Sequence, residues 1–354
     1  MENKQKQHHT FSQVVMKVIG GSALGIIVAV IPNAIFGQIF GNLVHLWSGF
    51  GVLNQVVQMI QLLMPVLIGV GVGMQFEFNP MQILSIGAAA FIGSGNVSST
   101  EAGWHIAGVG DTVNTMLTAG IGVGLLLWLG EKMKPLATIA YPTVIGLGAG
   151  AVGLLTLPYV SSLTQLVGHL VARATELQPM LMGMIISMIF AILIITPISV
   201  VAVALAISLS GIGSGAGNLG TVATVVFMAI GSMKAHNSFG ITLSILLGGV
   251  KTMMPNFFKK PKIGLPIIVT AAILGALGVL LNIQGTPASA GFGFAGLVGP
   301  IVAYGYLDHS PLVNSVLLIL IYAVIPIGLS LFAHWLFTDI LHITDHADYT
   351  NQLD

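Results

Sequence analysis

The sequence predicts an all-α, polytopic membrane protein, and two observations carry this prediction. Only 6% of the 354 residues are charged, whereas 55% are hydrophobic; about 25% of the residues in a soluble globular chain are charged. No Asp, Glu, Lys or Arg occurs between Lys17 and Glu77, or between Glu176 and Lys234. A membrane-spanning helix needs about 20 apolar residues, so each of these uncharged runs is long enough for more than one crossing.

The composition also excludes several classes of function. Eleven basic and eleven acidic side chains give a formal net charge of zero, so the chain has no basic field to attract nucleic acid. The absence of cysteine excludes disulfides, thiolate metal sites, iron-sulfur clusters and catalytic thiols within the chain. The acids and histidines show no metal-ligand spacing such as H-E-x-x-H. We therefore predict no nucleic-acid partner, no cofactor and no metal site.

Ten hydrophobic segments are candidate crossings, which predicts about ten transmembrane helices. The segments at 80–93 and 239–250 are shorter than the roughly 17 residues that a perpendicular span requires. They must be extended by neighbouring residues or be buried half-helices. The ten candidate crossings are residues 18–40, 52–74, 80–93, 113–130, 136–159, 179–208, 220–233, 239–250, 263–283 and 311–337.

The chain is predicted to form a single transmembrane domain. Residues 18–338 form this domain, between a polar N-terminal head at residues 1–17 and a polar C-terminal tail at residues 339–354. No Pro/Ser-rich linker separates two different compositions, so no second, soluble domain is expected. The first apolar segment runs to Phe40 without a cleavage pattern, which indicates a retained span rather than a signal peptide.

Lysine distribution predicts the orientation, because loops on the cytoplasmic side retain positive charge. Four candidate crossings separate the first lysine cluster from the second, and four more separate the second from the third. One side of the membrane can therefore hold all three clusters, and both termini are then predicted to be cytoplasmic. The clusters are Lys4, Lys6 and Lys17; Lys132 and Lys134; and Lys251, Lys259, Lys260 and Lys262.

Residues 162–177 show the apolar periodicity of an amphipathic helix. The apolar positions Leu163, Leu166, Val167, Leu170 and Val171 recur with helical spacing, and polar residues occupy the opposite face. Such a helix lies in the membrane interface or packs on a partner subunit. A loop helix packed on its own protein is the alternative interpretation.

Polar residues within a membrane domain are costly, so each polar group is a candidate site. The first group lies between two apolar segments, lacks lysine and includes Trp104, which is typical of a folded, half-buried element. A plain extramembrane loop is the alternative. The group consists of Asn96, Ser98, Ser99, Thr100, Glu101, His105, Asp111 and Asn114.

The second polar group is Lys234, His236, Asn237 and Ser238, between two short apolar stretches. We expect a broken-helix site in which the lysine balances a carboxylate and the imidazole hydrogen-bonds a polyol. The alternative is an interfacial helix end whose lysine extends to water.

The third group follows a full-length span and is interpreted as a re-entrant hairpin at about residues 285–305. Pro287 and Pro300 interrupt helices, glycines permit tight turns, and Thr286 and Ser289 supply neutral hydrogen-bonding groups. Its GFGFAG stretch lacks the βαβ context of a dinucleotide-binding motif. A tightly packed helix corner is the alternative.

Together these segments resemble a known family. The stretches SGNVSSTEAG, GDTVNT, MKAHNSFG and GTPASAGFGFAGLVGP, spread over residues 94–300, are similar to the membrane IIC component (EIIC) of the bacterial phosphoenolpyruvate-dependent sugar phosphotransferase system. The likeness is to the stand-alone branch that includes perfringolysin-regulator-like proteins. It implies a homodimer in the bacterial cell membrane, two re-entrant hairpins that enclose a sugar, and separate IIA and IIB partners.

The resemblance also implies which residues act on the sugar. Related IIC proteins use a histidine and a glutamate near the hydroxyl that is phosphorylated; His236 matches by motif, but GTPASAGFG contains no glutamate. Either Glu101, from the first polar group, takes that place, or the chain does not support phosphotransfer. A sugar site needs many neutral donors and acceptors, and the expected binding residues are Asn96, Ser98, Thr100, Asp111, Lys234, Asn237, Thr286 and Ser289.

Three functions remain open from the sequence. The first is a sugar-translocating IIC subunit that works by alternating access and depends on separate proteins for phosphotransfer. The chain has no cysteine with which to form a cysteine-type IIB domain. The second is a proton-coupled transporter of a sugar-like or anionic solute, in which Glu101, Asp111 or His236 carries the proton. The third is a membrane-embedded regulator or sensor that retains the transporter fold.

Overall fold

The structure is a computed structural model that describes residues 10–101, 103–129, 136–287 and 289–351. It is almost entirely helical, as the sequence predicts. The lysine clusters used for orientation fall partly outside the described residues, because Lys4, Lys6, Lys132 and Lys134 lie there. The described helices and strands of the first half are α1 Phe11–Leu43, α2 Gly49–Leu62, α3 Met64–Gln75, α4 Pro80–Gly93, β1 Val97–Thr100, β2 Gly103–Ile106, α5 Thr112–Leu129, α6 Ala137–Ala140, a π-helical segment Tyr141–Ala149 and α7 Gly150–Ala174.

The second half continues with short helices around a few long ones. Its helices are α8 Pro179–Leu193, α9 Val200–Ala206, α10 Gly211–Lys234, α11 Phe239–Leu246, α12 Met254–Lys259, α13 Gly264–Leu280, α14 Val298–Tyr304, α15 Pro311–Ile319 and α16 Ile325–His334, with π-helical segments Leu320–Val324 and Trp335–Ile340 and short 3₁₀ turns between them.

Six helical stretches among the described residues are long and apolar enough to cross a membrane, or seven if the bent pair α2–α3 is one span. Helices α4 and α8 are apolar but shorter. This pattern agrees with a polytopic membrane protein. The total number of crossings stays a prediction, and two of the ten candidates turn back, as described below. The six stretches are Phe11–Gly41, Thr112–Leu129, Ala137–Ala174, Gly211–Lys234, Pro261–Leu280 and Pro311–Ile340.

The chain divides into two compact units that interleave in sequence. Of the described residues, those in the ranges 10–28 and 62–160 belong to unit 1, and those in the ranges 29–61 and 161–351 belong to unit 2. In unit 1, α3, α4, α5 and the π-helical segment 141–149 pack closely. Asn79 begins α4 with a reciprocal capping box. The Asn79 side chain accepts from the Gln82 backbone N–H, and the Gln82 side chain accepts from the Asn79 backbone N–H.

Helix α10 forms the centre of unit 2 and is buried along most of its length. Helix α8 runs parallel to it, because Ile186 lies against Gly213 and Phe190 lies against Gly217, with a constant offset. Helix α13 runs antiparallel to α8, with Gly183 against Gly275 and the Ser187 hydroxyl 2.7 Å from the Ala271 carbonyl. Small residues permit this close backbone approach between apolar helices.

Residues 179–208, predicted to be one crossing, form a broken helix pair that turns back. Helix α8 ends at Leu193, an irregular stretch follows, and α9 starts at Val200. Because α8 is parallel to α10, the chain must return along α10 before Gly211 begins that helix. Pro197 lies in the break, where its ring and missing N–H disfavour a continuous helix.

Residues 239–250, also predicted to be a crossing, belong to a second segment that returns to its starting end. Asn237 and Asn256 both hydrogen-bond the same C-terminal stretch, residues 348–351. The chain therefore leaves the C-terminal end of α10 and comes back to it within about twenty residues. Lys234 and Lys260 lie at this same end, whereas the predicted crossing would put them on opposite sides of the membrane.

Two other predicted features differ from the observed elements. The predicted amphipathic helix 162–177 is a continuation of α7 to Ala174 rather than a separate helix; Val171 is buried, whereas Leu163 and Leu170 are exposed. The predicted polar tail is folded as far as it is described, since Tyr349 is fully buried. Residues 285–305 form short 3₁₀ turns and α14, an irregular course that fits the predicted hairpin.

Candidate functional site

The segment after Gly285 lies along one face of α10. The backbones of Gly211 and Gly285 exchange two hydrogen bonds of 2.9 and 3.0 Å. The Ser214 hydroxyl donates to the Thr286 carbonyl over 2.6 Å, and Asn218 Nδ2 donates to the Ser289 carbonyl over 2.6 Å. Because positions 211, 214 and 218 share one helix face, the segment follows α10 for two turns.

The turn at 286–289 uses the two hydroxyl residues that the sequence singles out. The Thr286 N–H donates to Ser289 Oγ over 2.9 Å, and the Ser289 N–H donates to Thr286 Oγ1 over 3.3 Å. Ser289 is 1% exposed. Both side chains thus stabilise the backbone of the turn by hydrogen bonds. The carbonyls of Thr286 and Ser289 then accept hydrogen bonds from α10.

Asn218 is the polar group in this region whose bonding is incomplete. Its side chain is 1% exposed, and its Oδ1 has no hydrogen-bond partner among the described residues. An unpaired buried acceptor costs about 1–3 kcal/mol. Gly299 packs against this amide, so a hydroxyl donor can reach the oxygen only in a conformation in which residues 293–299 have moved away; there it would remove that cost.

Glycine allows the segment to approach α10 this closely. A Cβ on Gly215 would overlap the Ile283 carbonyl, and one on Gly299 would overlap the Asn218 amide. Gly293 has a φ of +59° and lies against the Thr221 hydroxyl, so it needs glycine for both conformation and space. The stretch GIGSGAGNLG, residues 211–220, therefore packs against the hairpin.

The opposite end of α10 holds Lys234, His236 and Asn237. His236 ends the helix in the left-handed conformation, with φ +59°, and its side chain is exposed. Asn237 is fully engaged in structure: Nδ2 donates to Ser232 Oγ and to the Tyr349 carbonyl, each over 2.9 Å, and Oδ1 accepts from the Asn351 N–H over 3.0 Å.

The charged groups at this end pair with one another near the surface. Lys234 Nζ lies 3.8 Å from an Asp339 carboxylate oxygen, and His346 Nε2 lies 3.3 Å from the other. Asp348 is nearly buried and lies within 3.7 Å of Lys260 and 3.4 Å of Lys262. The carboxylate that balances Lys234 thus comes from the C-terminal region, at Asp339.

The predicted site residues of unit 2 therefore form two groups. Helix α10 contains 24 residues, which corresponds to about 35 Å from end to end. Thr286 and Ser289 lie at its N-terminal half, and Lys234, His236 and Asn237 lie at its C-terminal end. A single small solute does not contact both groups at once in this conformation.

In unit 1 the buried polar centre is Asn114. Its Nδ2 donates to the carbonyls of Gly93 and Gly153 over 2.6 and 2.7 Å, and its Oδ1 accepts from the Thr156 hydroxyl over 2.8 Å. Asp111 precedes α5 and accepts from the Asn114 N–H over 2.8 Å. The Asp111 carboxylate thus bonds a backbone donor at a helix N-terminus, where negative charge is stabilised.

Asn96 lies beside this centre and retains an unpaired donor. It is 1% exposed; its Oδ1 accepts from Ser94 Oγ over 2.9 Å, and its Nδ2 has no partner among the described residues. Asn96 is thus the predicted site residue of unit 1 that is both buried and incompletely bonded.

The other predicted residues of this group lie on an exposed β-hairpin. Strands β1 and β2 pair antiparallel with Ser98 opposite His105, and Thr100 Oγ1 bonds the Gly103 carbonyl over 3.1 Å. Ser98, Thr100 and Glu101 are exposed, and Glu101 lies at the turn. The sequence signal for these strands is their β-branched and aromatic residues, Val97, Thr100, Trp104 and Ile106.

Sequence reasoning missed two buried groups. Asn218 lies in the glycine-rich stretch at 211–220, where its amide among small residues was the available signal. Lys251 was assigned to a cytoplasmic lysine cluster, but its ammonium donates to the carbonyls of Thr196 and Ile198. The proline between these two carbonyls marks the helix break that leaves them without intrahelical partners.

Comparison with known proteins identifies the family. A family model described as "Phosphotransferase system, EIIC" matches residues 16–351. Neither the curated proteins nor the solved structures contain a significant match. The match covers both units and every predicted site residue, so this multi-pass membrane protein belongs to the EIIC family of the sugar phosphotransferase system.

Proposed function

We propose that the chain is a sugar-translocating IIC subunit that works by alternating access and depends on separate IIA and IIB proteins for phosphotransfer. The family match over residues 16–351 supports sugar transport by an EIIC-type subunit. Within this proposal the protein acts as a homodimer in the bacterial cell membrane, with both termini in the cytoplasm.

The proposed sugar contact in unit 2 is the region where the hairpin meets α10. The observation that carries it is the unpaired Oδ1 of the buried Asn218, beside the turn that Thr286 and Ser289 form. Residues 207–224 and 282–300 contain no ionisable side chain. The region thus offers neutral donors and acceptors, which match the hydroxyls of a sugar.

Glu101 and His236 stay candidates for orienting the hydroxyl that receives the phosphoryl group. Both side chains are exposed in this conformation, and a solvated hydrogen bond contributes less than a buried one. Their proposed role therefore requires another state, in which the bound sugar excludes water from them and His236 reaches the sugar that the hairpin binds. Asn96, Ser98, Thr100, Asp111, Lys234 and Asn237 stay proposed binding residues. Asn96 is already buried, and Asn237 would have to exchange hydrogen bonds that it makes here.

Binding to the purified protein tests the Asn218 contact. A panel of neutral sugars, polyols and sugar acids is first screened for binding by calorimetry. Asn218→Ala should then lower the affinity for the sugar that binds by about 10-fold or more, because a buried hydrogen bond to the sugar is lost.

Asn314 provides a matched control. It is also buried, donates one hydrogen bond, to the Leu307 carbonyl, and has an Oδ1 without a partner among the described residues. Asn314→Ala should lower thermal stability comparably without changing sugar affinity. Equal affinities of the Asn218→Ala variant and the parent would place the sugar elsewhere.

Uptake into proteoliposomes separates the three functions. A IIC subunit should accumulate sugar phosphate only when phosphoenolpyruvate and the soluble phosphotransferase proteins are supplied. Uptake driven by a proton gradient alone would instead support the proton-coupled transporter. Binding without uptake under either condition would support a sensor.

A further inference from the structure

The buried end of Lys251 lies where two returning segments meet. One is the α8–α9 pair, which turns at residues 194–199; the other leaves the C-terminal end of α10 and turns near residues 247–253. The Lys251 ammonium donates to the Thr196 carbonyl and, over 3.1 Å, to the Ile198 carbonyl. It thus joins the turning points of the two segments.

Among the described residues, the groups that bond the Lys251 ammonium are backbone carbonyls. No ionisable residue occurs in residues 179–206, in residues 239–250 or in residues 285–300. Burying a lysine in such surroundings costs free energy. The ammonium offsets this cost by bonding the two carbonyls that the helix break leaves without intrahelical partners.

The stretch that Lys251 holds also supports the hairpin. A Cβ on Gly291 would lie 2.6 Å from the Val201 N atom, so the hairpin backbone rests directly on the start of α9. Two residues earlier, the Ser289 carbonyl accepts from Asn218. A continuous set of contacts therefore runs from Lys251 through the 196–201 backbone and the hairpin to Asn218.

We propose that Lys251 is a positioning residue for the sugar site: it fixes the 194–199 break, and the break fixes residues 289–291 against Asn218. That this region is a sugar site rests on the proposed function, but the effect of Lys251 on the position of the hairpin is tested without sugar. Loss of the ammonium should release the hairpin while leaving the rest of unit 2 packed.

Thiol labelling measures this release, because the native chain has no cysteine. Ala290 is fully buried in the hairpin, and Ala333 is 3% exposed on α16. The single-cysteine variants Ala290→Cys and Ala333→Cys are each reacted with N-ethylmaleimide in the parent, Lys251→Met, Lys251→Arg and Lys262→Met backgrounds. Lys262 is a half-exposed lysine that pairs with Asp348 and serves as the matched control.

In the Lys251→Met background, the labelling rate at position 290 relative to that at position 333 should rise by about 10-fold or more, since a charge-assisted hydrogen bond is worth about 1.5–3 kcal/mol. Lys251→Arg should restore the parent ratio to within about 3-fold, because guanidinium can also donate to two carbonyls. Lys262→Met should leave the ratio unchanged.

An unchanged ratio, or a rise that Lys251→Arg fails to reverse, would overturn the proposal. Equal acceleration at positions 290 and 333 would show general loosening and would overturn it as well. If Lys251→Met is not monodisperse on gel filtration, Lys251→Gln replaces it; its neutral donor should give a rise of about 3-fold or more.

A sugar found by the binding screen then supplies the functional readout. Lys251→Met should weaken its binding, and Lys251→Arg should restore it. If the labelling ratio changes as expected but no sugar binds any variant or the parent, the positioning role stands and the proposed function fails.

Discussion

Amides make the decisive polar contacts at the residue scale. Asn114 joins three helical segments of unit 1, Asn218 joins α10 to the hairpin, and Asn237 joins α10 to the C-terminal stretch. A neutral amide provides both donors and acceptors without the desolvation cost of a charge. In a chain with so few charges, these residues determine where segments meet.

The first prediction concerns Glu101 and His236. If they orient a sugar hydroxyl, Glu101→Gln and His236→Ala should each weaken binding of the identified sugar by about 10- to 150-fold, the range for losing a charge-assisted hydrogen bond. Calorimetry on the purified variants measures this. Both should elute from gel filtration as the parent does, because both side chains are exposed.

Parent-like affinity in both variants would mean that Glu101 and His236 are exposed surface residues that do not contact the sugar. In that case Asn218 and the hairpin carry recognition in unit 2. His236→Ala needs one further control, because His236 has a φ of +59°, which favours glycine. The His236→Gly variant removes the imidazole without backbone strain and should bind the sugar with the same affinity as His236→Ala.

At the scale of elements, close helix packing depends on paired glycines. Gly183 and Gly275 face each other where α8 crosses α13, and a Cβ on Gly275 would lie 2.9 Å from the Gly183 carbonyl carbon. The second prediction is that Gly275→Ala destabilises the protein by about 1–3 kcal/mol, the usual cost of overpacking. A lower midpoint of thermal unfolding in detergent would show this.

Gly328 provides the control for that substitution. It lies on α16, and a Cβ there would have no neighbour within 4 Å among the described residues. Gly328→Ala should therefore be neutral or slightly stabilising, because alanine favours a helix over glycine. Equal destabilisation by both substitutions would mean that loss of glycine, rather than the α8–α13 contact, is responsible.

At the scale of the whole molecule, the C-terminal stretch fixes which regions share a side. Residues 348–351 bond Asn237 at the end of α10 and Asn256 on α12, and Asp348 pairs with Lys260 and Lys262. The lysine rule assigns Lys260 to the cytoplasm. The start of α11 and the C-terminal stretch must then be cytoplasmic too.

The third prediction tests this arrangement with single cysteines at positions 239, 260 and 350. Phe239 is 80% exposed, so a cysteine there is open to reagent. None of the three should react with an impermeant maleimide added outside intact cells, and all three should react in inverted vesicles. A cysteine at position 133, in the second lysine cluster, should behave as they do.

Different results at positions 239 and 260 would contradict the structure. They would restore the interpretation in which residues 239–250 cross the membrane. Outside labelling of all three positions would keep the fold and reverse its orientation, which would contradict the lysine rule for this chain.

By itself the sequence determined the class of the protein. Long uncharged runs permit only a membrane environment, and the polar motifs at 94–114, 234–238 and 285–300 identified the family. It also located the residues at which helices break, because proline, glycine and hydroxyl side chains act on the local backbone. Those signals are local, so one chain suffices to recognise them.

Only the tertiary structure decided which broken segments return and what their polar groups contact. Hydropathy is equal for a helix that crosses and for a pair that turns back, so residues 179–208 were predicted to be a crossing until the parallel packing of α8 and α10 showed otherwise. Likewise the sequence around Lys251, with three further lysines close by, is typical of a cytoplasmic loop. Its two carbonyl partners lie more than fifty residues away in the chain, and contacts at that separation are set by packing, which no local pattern records.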